Sequence, residues 1–125
     1  TVLDPIAAVV VSVFIIKTSL SLMRQASDEL LEKSLPDETE RKIKDIAESE
    51  DGVSGIHNIR TRRIGNRISI EMHLRMPGGI TLYEAHRRAT EIERNLRCQF
   101  GADTYISLHI EPLKVNGKYV NPKEN

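Results

Sequence analysis

The chain has little of several residue types on which common function classes depend. It has one cysteine, Cys98, and no tryptophan, and aromatic residues make up 4% of its 125 residues. A single cysteine forms neither an internal disulfide nor a zinc ribbon, which fits a reducing compartment. Scarce aromatic rings argue against stacking platforms for bases. With 18 basic and 18 acidic residues the formal net charge is zero, so no global field attracts nucleic acid.

The familiar catalytic signatures are also missing. The sequence contains no G-x-S-x-G, no P-loop and no H-E-x-x-H, so we do not expect an enzyme. An arginine group near a predicted hairpin could touch phosphate and consists of Arg60, Arg62, Arg63 and Arg67. A sheet that reads single-stranded RNA needs stacking residues on its central strands, and these strands have none. We therefore predict a solvated hairpin and no nucleic-acid partner.

One long apolar segment stands near the start of the chain. Ile6–Ile16 has only Ser12 as a polar residue and is apolar all round, and the remaining chain is too polar to envelop such a helix. Asp4-Pro5 suits a helix start, and Lys17 can reach toward a membrane interface. No basic segment precedes the run, which disfavours a secretory signal. The sequence predicts the last spanning helix of a larger protein, with a buried core helix as the alternative.

The rest of the chain predicts a small α+β domain. A helix follows Pro36 and ends before Asp51-Gly52, and two strands flank the turn Gly65-Asn66. A second helix begins at the capping box Thr81–Glu84 and ends at Gly101. A third strand runs to Pro112, and residues 113–125 form a polar tail that we expect to be mobile. The order αββαβ predicts a three-stranded, ferredoxin-like sheet with both helices on one face.

Alternation assigns the faces of these elements. The residues predicted to face the core are Ile68, Ile70, Met72, Leu74 and Met76 on the second strand, Leu82, Ala85, Ala89, Ile92 and Leu96 on the second helix, and Ile106, Leu108 and Ile110 on the third strand. The residues predicted to face outward are Ser69, Glu71, His73 and Arg75, followed by Tyr105, Ser107, His109 and Glu111.

The bare outward face carries a candidate metal site. His109 and Glu111 lie two residues apart, so their side chains leave one face about 7 Å apart. With His73 they offer the imidazole and carboxylate ligands that suit zinc, iron, cobalt or manganese, although three solvated polar residues are the alternative. The periodicity leaves the face of His57 open, with an inward position as one option. His86 lies at the rim of its helix, roughly 80° from the apolar stripe.

Four segments in order resemble the cation diffusion facilitator family of proton-coupled divalent metal exporters. They read L-D-P-I-A, then L-P-D-E, then G-I-H-N-I-R-T-R-R-I-G with E-M-H-L, and finally E-A-H-R-R-A-T-E-I-E with L-H-I-E-P. The resemblance implies a metallochaperone-like αββαβ domain that forms a homodimer and binds metal between subunits. The implied ligands are His57, His73, His86, His109 and Glu111. Asn58 and Glu111 stand where the family commonly has aspartate, and Glu32 resembles an acidic residue of a charged interlock between helices.

The resemblance also implies a location and a role. Residues 1–35 would be the last transmembrane helix and membrane exit in the cell membrane, and residues 36–112 the cytoplasmic domain, followed by the tail 113–125. The domain would be the regulatory, dimerising and metal-sensing part of a cation/proton antiporter whose transport site lies on other helices. Zinc is the expected ion, with iron, cobalt, cadmium and manganese as alternatives. The competing hypothesis is a soluble ferredoxin-like regulatory or interaction module.

Overall fold

A computed structural model describes residues 2–123 of the protein, and these residues form two compact units that meet between residues 33 and 34 of the sequence. The first unit is the helix α1, Leu3–Leu30. At 1.5 Å per residue its 28 residues extend about 42 Å, which exceeds the hydrocarbon thickness of a bilayer. None of residues 3–30 is buried. By length and composition α1 can therefore span a membrane.

Two hydroxyl groups of α1, those of Ser12 and Thr18, are hydrogen-bonded within the helix. Ser12 donates to the carbonyl of Ala8 at 2.7 Å, and Thr18 donates to the carbonyl of Phe14 at 2.9 Å. Because these bonds need no water, the hydroxyls are compatible with an apolar environment.

The second unit contains the predicted αββαβ order and one addition. Its elements are α2 Asp37–Glu48, β1 Ser54–Ile64, β2 Arg67–Met76, α3 Leu82–Phe100, β3 Tyr105–Pro112, β4 Lys114–Val115 and β5 Lys118–Tyr119. The main sheet has the order β1-β2-β3. β1 and β2 are antiparallel, whereas β2 and β3 are parallel and joined by the crossover helix α3. The α+β prediction is therefore confirmed.

The two helices of the domain begin differently. Pro36 occupies the N-cap position of α2 without a side-chain capping bond, and the backbone N–H of the preceding Leu35 donates to the Thr61 hydroxyl at 2.9 Å, which ties the beginning of the domain to β1. At α3 the Thr81 hydroxyl accepts from the Glu84 backbone N–H, as the capping box predicts. The Glu84 side chain turns instead toward Arg87 and Arg88, which lower its pKa to about 2.

The core lies between the two helices and one face of the sheet. Its fully enclosed side chains come from α2, β2 and α3 and include Ile43, Ile70, Met72, Leu74, Met76, Ile92 and Leu96. The alternation predicted for β2 is thus confirmed at every core position except Ile68, which is half-buried. The opposite face of the sheet is left to the polar residues.

The predicted burial of Leu82 is wrong, and two other residues lie on the predicted face with an unexpected exposure. Leu82 is 86% exposed because it is the first residue of α3, one turn before the half-buried Ala85. Ile110 pairs with buried Leu74 and so lies on the core face, but it remains 36% exposed because β3 is an edge strand. Ser69 faces outward yet is 1% exposed, between the long side chains of its register partners Arg62 and Tyr105.

The segment predicted as a mobile tail forms a hairpin. β4 and β5 pair antiparallel around Asn116 and Gly117, both of which have positive φ. An Asn-Gly pair favours this type of tight turn. The backbone N–H of Leu113 donates to the carbonyl of Met76, which joins the hairpin to the end of β2. The prediction is therefore wrong for residues 114–119, and the final two residues of the predicted tail lie outside the described residues.

Candidate metal centre

Two irregularities in β1 decide the face of His57. The register with β2 shifts between Ser54 and His57 and again between His57 and Arg60. Gly55 and Asn58, which flank His57, have φ of +57° and +51°, values that glycine and asparagine tolerate best. The shifts place His57 directly opposite His73 of β2, with the two rings 5.3 Å apart. The inward option for His57 is therefore wrong.

β3 brings a carboxylate to these two imidazoles. Its parallel register pairs His73 with His109 and Arg75 with Glu111, so these four side chains leave the same face. Glu111 Oε1 lies 3.2 Å from His73 Nδ1, and Glu111 Oε2 lies 3.6 Å from His57 Nε2. One ligand atom from each of His57, His73 and Glu111 lies within 4.8 Å of the others.

A backbone contact orients His57 for ligation. Its Nδ1 lies 2.7 Å from the carbonyl oxygen of Gly55, and because a carbonyl only accepts, Nδ1 is the protonated nitrogen. In the neutral ring Nε2 then presents a lone pair toward Glu111. Two acceptor atoms therefore face each other, an arrangement that a bound cation stabilises. In metal-binding histidines, the ring nitrogen that does not bind the metal usually donates a hydrogen bond to a carbonyl or a carboxylate, as Nδ1 of His57 does here.

Glu111 is held in its charged form, the form in which a carboxylate can bind a metal. Burial raises the pKa of Glu111, but a hydrogen bond from His73 and, whenever its ring is protonated, the charge of His57 oppose this effect. A hydrogen bond from Tyr119 and the charge of Lys114, both in the C-terminal hairpin, lower the pKa further. The resulting pKa is below the ordinary glutamate value. The carboxylate is therefore ionised at neutral pH.

The spacing of the three groups fits a small divalent cation. Zinc binds imidazole nitrogen at about 2.0 to 2.1 Å and carboxylate oxygen at about 2.0 to 2.2 Å, so tetrahedral ligands stand about 3.3 Å apart. The contacts of 3.2 and 3.6 Å are close to that value. Glu111 Oε2 is also buried without a hydrogen-bond partner among the described residues. Three such ligands would leave a fourth position for water or another side chain.

The other two predicted ligands lie outside this group. His109 is exposed on the edge strand, with its ring 4.6 Å from that of His73. His86 is exposed on α3, the helix that covers the core face of the sheet. The metal-ligand geometry found among residues 2–123 includes neither histidine. The structure thus assembles three of the five predicted ligands.

Sequence reasoning missed the role of the residues around the three ligands. Asn58 Nδ2 contacts His73 Nε2 at 3.2 Å, and Arg75 Nε lies 3.6 Å from Glu111. The alternation of β2 already placed Arg75 outward beside His73. Lys114 follows Glu111 by three residues, whereas Tyr119 reaches Glu111 because the Asn-Gly turn folds the C-terminal segment back, and that turn signal was present in the sequence.

Asn58 is expected to control which nitrogen of His73 carries the proton. An amide that donates to Nε2 leaves the proton on Nδ1, facing Glu111, where it opposes a metal. Asn58→Asp would instead accept from Nε2–H and leave Nδ1 free to bind. We expect about tenfold tighter Zn²⁺ binding, the usual scale for a residue that orients a ligand. A competition titration against a chelating dye measures it.

Asn66→Asp, in the turn between β1 and β2, makes the same charge change away from the three ligands. It should leave zinc affinity unchanged. Equal affinities for Asn58→Asp and the unsubstituted chain would contradict the role given to Asn58.

Comparison with known proteins connects this geometry to a family. Residues 35–113 match the family described as "Cation efflux protein, cytoplasmic domain". Protein p34 of Rickettsia prowazekii is 34% identical over 121 residues, which cover 97% of this chain and 40% of that protein. Cation-efflux pump FieF of Pectobacterium atrosepticum is 38% identical over 111 residues, 88% of this chain and 36% of that protein. The chain thus spans about two fifths of the length of these curated relatives.

Among solved structures, the Zn form of CzrB is similar to this chain. The TM-score is 0.59 with 30% sequence identity, over 71% of this chain and 98% of that one. The matched share of this chain is close to the share that the second unit occupies.

Proposed function

Because the chain belongs to the cation efflux family and carries that family's cytoplasmic domain in residues 35–113, we propose that this domain senses divalent metal ions for an efflux transporter. The proposed sensor consists of His57, His73 and Glu111. Metal binding there would draw two copies of the domain together and bias the membrane part of the transporter between its states. The domain would thereby regulate transport without carrying the ion.

The observation that carries this proposal is the shared position of the three ligands. They come from three separate strands, yet their ligand atoms converge within 4.8 Å on the sheet face opposite the one on which α2 and α3 pack. A preformed set of this kind needs little reordering to close around an ion. Its two nitrogens and one carboxylate suit zinc, and iron, cobalt, cadmium or manganese are chemically compatible alternatives.

The remaining two histidines suit a site completed in the dimer. His109 lies beside His73 on an edge strand, where a second subunit can approach. His86 lies on α3, so within one subunit it belongs to the other side of the sheet. We propose that His109 adds a further ligand at this face, and that His86 contributes across the subunit boundary.

The first unit fits an anchor in the cell membrane. α1 has the length and apolar composition of a span, and the hydroxyls of Ser12 and Thr18 are bonded within the helix. We propose that α1 crosses the membrane and that residues 36–125 lie in the cytoplasm. The transported ion would move, in exchange for protons, through membrane helices that this chain does not contain.

The oligomeric state in the presence of zinc tests the proposed function. The full chain in detergent micelles would be examined by sedimentation velocity with and without Zn²⁺. We expect zinc to increase the dimer fraction, because the ligand-bearing face is open and the site gains ligands from a second copy. The double variant His109→Ala with Glu111→Ala should lose this response and keep its fold by circular dichroism.

Glu71→Gln is a matched control, because Glu71 lies on the same outward face and outside the three-ligand group. It should respond to zinc as the unsubstituted chain does. A chain that remains monomeric at high concentration with and without zinc would contradict the proposal and favour a different regulatory role for the fold.

A further inference from the structure

Arg75 shares the carboxylate of the three-ligand group. It lies on β2 two residues beyond His73, and its register partner on β3 is Glu111. Arg75 Nε lies 3.6 Å from Glu111 Oε2, and His57 Nε2 lies 3.6 Å from the same oxygen. One carboxylate oxygen thus stands at equal distance from a permanent cation and from a nitrogen suited to bind a metal.

Neither member of the Arg75–Glu111 pair is fully satisfied. Arg75 Nε and Glu111 Oε2 are both buried, and neither has a hydrogen-bond partner among the described residues. A separation of 3.6 Å is too long for a hydrogen bond, although the opposite charges attract. An unbonded buried donor beside an unbonded buried acceptor indicates a carboxylate positioned between two alternative partners.

The backbone of β1 leaves room for the arginine. A Cβ added at Gly55 would lie 3.2 Å from Arg75 Nη1 and 3.3 Å from Arg75 Cδ, both tighter than ordinary contacts. The absence of a side chain at position 55 therefore accommodates the guanidinium beside the site. The same glycine supplies the carbonyl that orients His57, so one residue serves both partners of Glu111.

We propose that Arg75 is an internal competitor for Glu111 and sets the metal concentration to which the domain responds. In the metal-free protein its guanidinium neutralises the carboxylate. A metal held by His57, His73 and Glu111 would bind that carboxylate in place of Arg75. It would then either remain close to the positive guanidinium or displace it. This inference rests on the proposed sensor function and adds a threshold to it.

The direction of the effect follows from charge alone. A divalent ion bound close to a guanidinium is repelled by it, and the partly buried position of Arg75, 25% exposed, limits screening by solvent. Arg75 therefore weakens metal binding. Without metal it has the opposite effect, because it compensates a carboxylate that is 11% exposed. Lys114 adds positive charge near Glu111 from β4, but its ammonium lies 4.4 Å from the centre of the Tyr119 ring and is engaged there.

Arg75→Gln in the full chain tests this competition. We expect it to bind Zn²⁺ about tenfold or more tightly in a competition titration at neutral pH. The metal-free variant should unfold at a lower temperature than the unsubstituted chain, and added zinc should raise its midpoint by a larger amount. A purely structural role for Arg75 predicts the lower midpoint without the tighter binding.

Arg62→Gln is the matched control, since Arg62 lies opposite Ser69 on the same face and pairs with Glu71. It removes the same charge without touching the three ligands, and its zinc affinity should stay unchanged. If Arg75→Gln does not fold, Arg75→Met, which keeps the apolar stem of the side chain, takes its place in the comparison.

The outcomes separate this inference from the proposed function. If the unsubstituted chain binds zinc and Arg75→Gln binds it no more tightly, the role of Arg75 is overturned and the proposed sensor stands. If neither protein binds zinc, the role of Arg75 and the proposed sensor are both overturned. Binding by Arg75→Gln alone, or markedly tighter binding by it, supports the competition.

Discussion

Glu111→Gln is expected to weaken Zn²⁺ binding by about a hundredfold or more, which corresponds to about 2.7 kcal/mol. Glu111 supplies the carboxylate of the three-ligand group, with His57 and His73 contacting its two oxygens. Glutamine keeps the size and shape of the side chain but offers a neutral oxygen on one side and a donor nitrogen on the other. Isothermal titration calorimetry of the full chain in detergent measures the loss.

The control for this prediction is Glu71, a carboxylate on the same face of the sheet that is not one of the three ligands. Glu71→Gln removes an equal charge from β2, where Glu71 pairs with Arg62 at 3.5 Å, and zinc binding should remain as it was. If Glu111→Gln bound zinc with unchanged affinity and stoichiometry, the site would be misassigned even though the family is correct.

Leu74→Ala is expected to lower the free energy of unfolding by about 3 kcal/mol, within the usual range for an enclosed leucine. Leu74 is fully buried in the cluster formed by β2 with α2 and α3, so its loss leaves a cavity in the core. Urea denaturation of residues 34–125, which contain the whole of that core, measures the change.

Ile110→Ala tests the neighbouring edge position. Ile110 is the register partner of Leu74 and lies on the same sheet face, but it is 36% exposed. We expect a cost of about 1 kcal/mol or less, since truncation there removes less buried apolar surface. A cost equal to that of Leu74→Ala would mean that the edge is covered in solution, as in a dimer.

The fold followed from the sequence wherever the signal was local. The strict alternation of β2, the Gly65-Asn66 turn and the Thr81 cap each depend on residues only a few positions apart, and the structure contains all three. The third strand and the crossover helix then had few arrangements available, because a parallel pair requires a long connection. Element order and sheet face were therefore predictable without knowledge of tertiary contacts.

The geometry of the site was less predictable because it depends on register. The face of His57 is set by two shifts in β1 at Gly55 and Asn58, and a strict two-residue period cannot represent an inserted residue. The approach of Arg75 to Glu111 required the pairing of β2 with β3, which no local pattern encodes. Leu82 and Ile110 show that burial has the same limit. Periodicity predicts which face a side chain lies on, but it does not predict whether another element covers that side chain.

During synthesis, the hairpin that bears His57 and His73 leaves the ribosome before β3 exists. The two imidazoles come from adjacent strands joined by a short turn, whereas Glu111 follows a 19-residue helix and must dock in parallel beside β2. Pairing over such a sequence distance is slow compared with closing a hairpin. The carboxylate is thus the last of the three ligands to arrive. In the proposed sensor, a nascent chain would therefore hold only an incomplete pair of histidines, and high affinity for metal would develop only once the domain has finished folding.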